Sequence, residues 1–410
     1  DRTFRIGLAR PVTIDVALAS PAVPADMVLA DLLYDTLTVL DDDGRAAPGL
    51  ATFAANAEQT VWRFELRDGV TFADGSPITA ADVVFSLNRV RAEGLTSLPA
   101  VRLERIVDVR AAGERTVEIE LASPSAVLPE ALSAPSYGIA DDAVVAAALA
   151  GEPVIPNASG SYAVVSQTTD SIALERRAEA EGPESVLVTV AADESAAFDR
   201  FVAGEVDWAQ IPPERYEEAL DARGLAGVVP FHGTLFLAVD PDVAPLGNID
   251  VRRAIALAID RAEIVDEVYG PAAQPLLGIL PAGVPGATVD ECRAPCGPER
   301  DAARDLVADA LPDGQRQPLR VLTDDTETMS RIGRQVGEQL ESVGFDVEVS
   351  SEDPGTYESL VNAGQQQLFV FGWLGIAMSP ADHLAPLSTE GSSLRQLIFA
   401  PTPTGGPSWR

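Results

Sequence analysis

Polar and apolar residues alternate over Val61–Leu66, where Trp62, Phe64 and Leu66 interleave with Arg63, Glu65 and then Arg67. A period of two buries one face of a strand, and Asp68-Gly69 predicts a turn before Val70 and Phe72. Asp74-Gly75 predicts a second turn. Thr79 follows, with Asp82 three residues on, which is the acidic form of a capping box ahead of a helix carrying Val83, Val84 and Leu87 on its apolar side.

The same two periods organise much of the chain. Thr3–Leu8 reads as a first strand, and Met27–Leu37 as a helix with Val28, Leu29, Leu32 and Leu33 at helical spacing. Ile106–Leu121 reads as a hairpin turning at Ala112-Gly113-Glu114, and two short strands flank Thr169-Asp170. Phe198 opens a stretch whose helix ends at Gly204 before a strand with Val206 and Trp208. Asp250 is placed to cap one continuous helix through Val251, Ala254, Ile255, Ala258, Ile259, Val265 and Val268, stopped by Gly270-Pro271. Further helices are predicted over 301–311 and Met329–Val343, the latter closed by Gly344 and followed by an alternating strand. Leu368–Phe371 reads as a buried strand feeding Gly372-Trp373. Helices alternating with strands indicate an α/β protein, and 410 residues exceed one ordinary core, so two or more lobes are expected.

Composition narrows the function classes. Hydrophobic residues at 46% and charged residues at 22% are globular values, and no apolar run reaches the roughly 18–20 residues of a membrane span. Acidic residues number 63 against 29 basic ones, a net charge of −34, and every basic side chain is arginine because the chain contains no lysine. Such a surface repels phosphate backbones, so nucleic acid is not an expected partner. Cys292 and Cys296 are the only cysteines, and without a nearby histidine they do not complete a four-ligand zinc site. A small disulfide loop is the expectation, which would place the protein outside the cytoplasm; two reduced thiols are the alternative. The chain opens at Asp1 with no basic and apolar leader, so an export signal was removed or never present.

Signs of catalysis are sparse. His232 and His383 are the only histidines and neither has metal-ligand spacing; no G-x-S-x-G elbow occurs, and a phosphate loop with its lysine is impossible. No enzyme activity, metal or cofactor is expected.

Two ordered segments carry a resemblance. RFELRDGVTFADGSPITAADVVFS, from Arg63, and VRRAIALAIDRAEIV, from Val251 to Val265, closely resemble the two signatures of the family 5 extracytoplasmic solute-binding proteins, the peptide and nickel receptors of ABC importers. LYDTL before an acidic Gly turn, Ser159-Gly160-Ser161-Tyr162, and AGEVDWA around Trp208 resemble further elements of that family. The resemblance spans residues 26 to 385. It implies a two-lobed, periplasmic-binding-protein-like fold of type II with an extra subdomain in lobe I. Residues 1–37 with 159–235 would form the core of lobe I, 38–158 the extra subdomain, 236–385 lobe II, and 386–410 a C-terminal segment returning to lobe I or disordered.

The function so implied is capture of a peptide or other mid-sized polar solute in the cleft between lobes, closed by hinge motion, for delivery to an ABC permease. The protein would act as a monomer outside the cytoplasm, attached to the membrane only through a lipid on a cysteine upstream of Asp1. Family members often carry an aspartate for the ligand ammonium after the Gly-Trp pair, where this chain has Ile376. Asp26 could take that charge, or could simply cap the helix near Met27. Trp373 is either an aromatic wall for the ligand or core packing. Tyr137, Tyr162, His232 and Phe236 complete the expected ligand-binding set. Ile376 and the short run after Trp373 imply an alternative, a transport-inactive scaffold or regulator of cell-envelope assembly derived from the family.

Overall fold

A computed structural model describes residues 3–9, 15–19, 24–92, 103, 105–152, 154–178, 180–221, 233–284, 286–287, 297–311, 318–363, 366–375, 380 and 383–384. His232, Cys292, Cys296 and Ile376 lie outside the described residues. The chain divides into two compact units, Asp1–Gly227 and Val228–Arg410.

In the first unit the strands are β1 (Phe4–Ala9), β2 (Thr38–Leu40), β3 (Ala46–Pro48), β4 (Ala51–Ala55), β5 (Val61–Leu66), β6 (Ile106–Ala111), β7 (Thr116–Leu121), β8 (Tyr162–Gln167), β9 (Ser171–Arg176), β10 (Ser185–Ala191) and β11 (Trp208–Ala209). Its helices are α1 (Pro24–Leu33), α2 (Ala80–Ala92), α3 (Leu128–Ala131), α4 (Asp142–Leu149), α5 (Glu194–Val202) and α6 (Tyr216–Asp221). One sheet runs β11-β1-β10-β9-β8, with β1 parallel to both β10 and β11. Ile6, Leu8, Val186, Val188, Ile172 and Leu174 close its core against Leu29 and Leu33 of α1. A second, antiparallel sheet runs β4-β5-β7-β6, and α2 packs on β6 and β7. Trp62, Phe64 and Leu66 are buried while Arg63 and Glu65 are exposed, as the period of two requires. Burying each such side chain contributes about 1.5–3 kcal/mol.

The 61–90 segment folds as its pattern predicts, with one change of chemistry. The buried Asp82 carboxylate accepts from both the Thr79 amide (2.8 Å) and the Thr79 hydroxyl (2.7 Å). The threonine hydroxyl therefore donates to Asp82. Gly69 and Gly75 take φ of 77° and 87°, the left-handed region that favours glycine at these turns.

The second unit contains β12 (Gly233–Val239), β13 (Leu319–Asp324), β14 (Val347–Glu352), β15 (Leu368–Leu374), α7 (Ile249–Ala258), α8 (Arg261–Val268), α9 (Arg300–Ala310), α10 (Glu327–Ser342) and α11 (Pro354–Asn362). Its sheet has the order β12-β15-β13-β14, with β12 antiparallel to β15 and the other pairings parallel. Leu319, Val321, Leu368 and Val370 join Val251, Ile255, Val307, Ile332, Val336 and Leu340 in one core. Gly333 and Gly337 let α10 lie close on β13 and β14: a Cβ would sit 2.8 Å from Thr323 Cγ2 at the first and 2.8 Å from Val349 Cγ2 at the second.

Three expectations are corrected here. The helix expected to run unbroken to Val268 is two helices, because Ile259 takes an extended conformation (φ −78°, ψ 114°). Asp260 then caps α8 by accepting from the Glu263 amide at 3.1 Å. Buried Gln339, from α10, stabilises the break by accepting from the Asp260 amide (2.8 Å) and donating to Glu263 Oε2 (3.1 Å). The free carbonyls at the end of α7 are met by the Gly297 and Glu299 amides. The cap of α7 is Asn248, whose side chain accepts from the Asp250 amide at 2.9 Å; Asp250 lies inside the first turn. In the first unit, α1 begins at Pro24, so Asp26 also lies inside a first turn and is not the cap.

Among the described residues no helix is long and apolar enough to cross a membrane.

Candidate functional site

In open α/β sheets, ligands meet the loops beyond the carboxyl ends of the parallel strands. In the second unit those ends are Asp324, Glu352 and Leu374, beside the start of antiparallel β12 at Gly233. The fully buried Thr323 hydroxyl lies 3.0 Å from Ser351 Oγ, and the Ser330 hydroxyl donates to Ser351 Oγ at 3.3 Å. Thr326 caps α10 by accepting from the Met329 amide, and its own amide donates to Asp324 at 2.9 Å. Burial pushes the Tyr269 hydroxyl up to about 12, helped by the negative charge of Asp324. This edge offers hydroxyls and carboxylates, a set suited to hydrogen-bonding a polar solute.

Phe236 and Trp373 lie on one face of this sheet. Residues 368, 370 and 372 alternate with 369, 371 and 373, and Leu368 and Val370 face the helical core. Phe369, Phe371 and Trp373 therefore share the opposite face, where Phe236 meets its cross-strand partner Phe371 with ring centroids 5.5 Å apart. Trp373 is 4% exposed and opposite Thr234, whose hydroxyl oxygen is buried without a hydrogen-bond partner.

In the first unit, Asp26 is buried in the first turn of α1, where the helix macrodipole favours a carboxylate. Tyr137 is 1% exposed in a short 3-10 turn. Tyr162 is packed in the core with Leu29 and Leu33, and its hydroxyl donates to the Pro183 carbonyl at 3.0 Å. The Ser159-Gly160 loop approaches the end of α1 closely. A Cβ on Gly160 would stand 2.7 Å from the Leu33 carbonyl carbon and the Tyr34 nitrogen. Ser159 Oγ accepts from the Asp35 amide and donates to the Ile139 carbonyl. Asp31 and Asp35, one turn apart, are reached by solvent, yet the protein mass around them raises both carboxyls; Arg177 and Arg67 partly oppose this at Asp35. Asp35 falls in the LYDTL element, whereas no motif marks Thr323 or Ser351, whose pairing follows from the topology.

Asp82, Asp141 and Asp142 bring carboxylate oxygens within 4.8 Å of one another. Asp82 serves Thr79 and the Asp142 amide, while Asp141 caps α4 and accepts from Asn157 Nδ2 at 2.7 Å. These contacts explain the group as a junction of helix starts.

Comparison with known proteins agrees with this architecture. The chain is 24% identical to the periplasmic murein peptide-binding protein MppA of Escherichia coli K12, over 93% of this chain and 76% of that protein. It is 22% identical to the oligopeptide-binding protein OppA of Bacillus subtilis 168, over 91% of this chain and 75% of that protein. Among solved structures, the periplasmic binding protein AgaA of A. tumefaciens R10, in complex with agropinic acid, superimposes with a TM-score of 0.80 at 21% identity, covering 98% of this chain and 82% of that one. The fold is thus the two-lobed α/β fold of periplasmic binding proteins. Residues 45–394 match the middle region of the bacterial extracellular solute-binding proteins of family 5, and the chain belongs to that family.

Proposed function

We propose that this chain is the extracytoplasmic substrate-binding component of an ABC importer, capturing a peptide or another mid-sized polar solute for a cognate permease. The observation that carries this reading is family membership across residues 45–394. Relatives named for murein peptides and oligopeptides support a peptide, and the agropinic acid complex keeps other polar solutes in view. In this reading the protein works as a monomer, is lipid-anchored in its native form and changes no bond in its ligand. Phe236 and Thr234 supply contacts from lobe II, with Trp373 as their packed support; Asp26 is the acidic contributor from lobe I.

The test is a thermal-shift screen of short peptides and of agropinic acid, followed by calorimetry on any hit. A solute held at a hundred times its Kd is expected to add about 2.7 kcal/mol to the stability of the folded state. A screen with no shift for any class would overturn receptor function and favour the transport-inactive scaffold.

A further inference from the structure

One side chain makes most of the hydrogen bonds across a polar seam inside the first unit. Arg177 follows β9, and its guanidinium serves five acceptors from two distant segments. Nη1 donates to the Ser159 and Gly160 carbonyls at 2.7 and 3.0 Å. Nη2 donates to the Thr71 carbonyl and hydroxyl at 2.8 and 3.0 Å and reaches the Phe72 carbonyl at 3.2 Å. Thr71 and Phe72 belong to the turn that links β5 to α2, while Ser159 and Gly160 lead into β8. The turn is thus tied to the antiparallel sheet and the loop to the mixed sheet.

We propose that Arg177 is a positioning residue that makes the 71–76 turn and the 157–160 loop one rigid body, coupling the β4-β5-β7-β6 sheet to the β11-β1-β10-β9-β8 sheet. Three observations converge on this. The two segments touch directly at three places, the Ala73 amide on the Ala158 carbonyl (2.8 Å), the Asp74 amide on Asn157 Oδ1 (3.2 Å) and Asn157 Nδ2 on Ser76 Oγ (3.5 Å), fewer than the five acceptors of Arg177. The loop is pinned on its far side by the Gly160 amide to the Leu33 carbonyl (2.8 Å), so a clasp on its near side completes the fixation. The acceptors are four backbone carbonyls and one hydroxyl divided between two segments, a number that the planar fork of arginine serves and a lysine ammonium, with three donors, does not. Whatever solute the lobe receives, the Ser159–Ser161 loop and the Asp74-Gly75 turn would move together.

Hydrogen exchange of the ligand-free protein tests this without reference to any solute. In Arg177→Ala the Ala73, Ile78 and Gly160 amides are expected to lose about tenfold in protection together, while amides of β1 and β10 keep theirs. Arg177→Lys is expected to show a smaller loss confined to the same amides, and remains informative if the alanine variant does not fold. Free guanidinium at about 20 mM should restore protection in the alanine variant by occupying the vacated site. Loss on one segment only, uniform loss across the unit in both variants, or failure of guanidinium to rescue a folded alanine variant would overturn the assignment.

Discussion

The two signature segments behave differently once folded. The first, in the first unit, has its turn and helix start shaped by neighbours in sequence, with Asp82 serving Thr79 three residues away and Asp74 accepting from the Ser76 amide and hydroxyl two residues on, while Arg177 and the 157–158 loop brace the turn already so shaped. The second, in the second unit, is broken at Ile259-Asp260, and its break is satisfied from far along the chain by Gln339 and by the Gly297 and Glu299 amides. Local chemistry can be read from a window of a few residues. A helix break whose backbone partners come from another helix and a distant loop leaves no comparable trace, so apolar spacing alone predicts continuity.

Close backbone approach gives the largest test of this contrast. A Cβ on Gly297 would stand 2.4 Å from the Leu257 oxygen and 2.8 Å from that of Ile259, and one on Gly160 would meet the α1 backbone at 2.7 Å. Gly297→Ala and Gly160→Ala should each cost about 3 kcal/mol, since neither neighbour is a side chain that can turn away. Urea unfolding combined with hydrogen exchange should show the first loss in the second unit and the other in the first. An effect below about 0.5 kcal/mol at either glycine would contradict the packing described.

Next come the polar partners. Gln339→Ala leaves the Asp260 amide without its partner, while Glu263 keeps Arg300, and should cost about 2–3 kcal/mol, whereas Asp82→Ala should cost about 2 kcal/mol by releasing Thr79 and the Asp142 amide. The contrast sharpens if exchange at the Asp260 amide rises in the glutamine variant while the 80–83 helix start frays in the aspartate variant. A smaller effect separates the amide and the acid at the start of α7: Asn248→Ala should cost about 1 kcal/mol and Asp250→Ala only a few tenths. Equal costs would return the cap to Asp250.

The pH dependence is the mildest and most diffuse test. The protein mass around solvent-reached Asp31 and Asp35, and burial at Asp240, raise these carboxyls, so they hold more protons in the folded than in the unfolded chain between the ordinary carboxylate range and their raised values. Across that window stability increases as pH falls. Asp74 and Asp353 are held low by hydrogen bonds from Ser76 and Thr356, and Glu218 by Arg215; their contribution is present above the ordinary range and is lost as pH falls further through their lowered values. Relief of self-repulsion among a net −34 charge acts in the first direction. The melting temperature should therefore rise on mild acidification from pH 8 and decline only in strong acid. A steady fall from pH 8 downward would remove the raised carboxyls from the account.

Much of the fold was legible because its signals are short-range. The β5 alternation, the hairpin from Ile106 to Leu121, the paired strands around Thr169-Asp170 and the amphipathic run of α10 followed from periodicity, turn residues and Gly344. Central strands β10 and β13 went unread although Val186, Val188 and Val190 alternate, and α4 escaped because none of its residues is buried to impose a stripe. The start of α1 shifted from Met27 to Pro24, a residue whose fixed φ suits a first turn. The candidate site was legible mainly by resemblance. Tyr162 looks like a free aromatic in sequence, yet its partner Pro183 is contributed by the far side of β9; the Thr323–Ser351 contact depends on strand register.

Gly333 and Gly337 sit one turn apart on α10, and the branched side chains of Thr323 and Val349 occupy the hollows they leave. A cog so seated resists sliding. To slip along β13 and β14 the helix must first lift off, surrendering the dispersion contacts of that whole stretch at once. A force applied parallel to the strands should meet far stiffer opposition in this half of the molecule than one that peels the helix from its end.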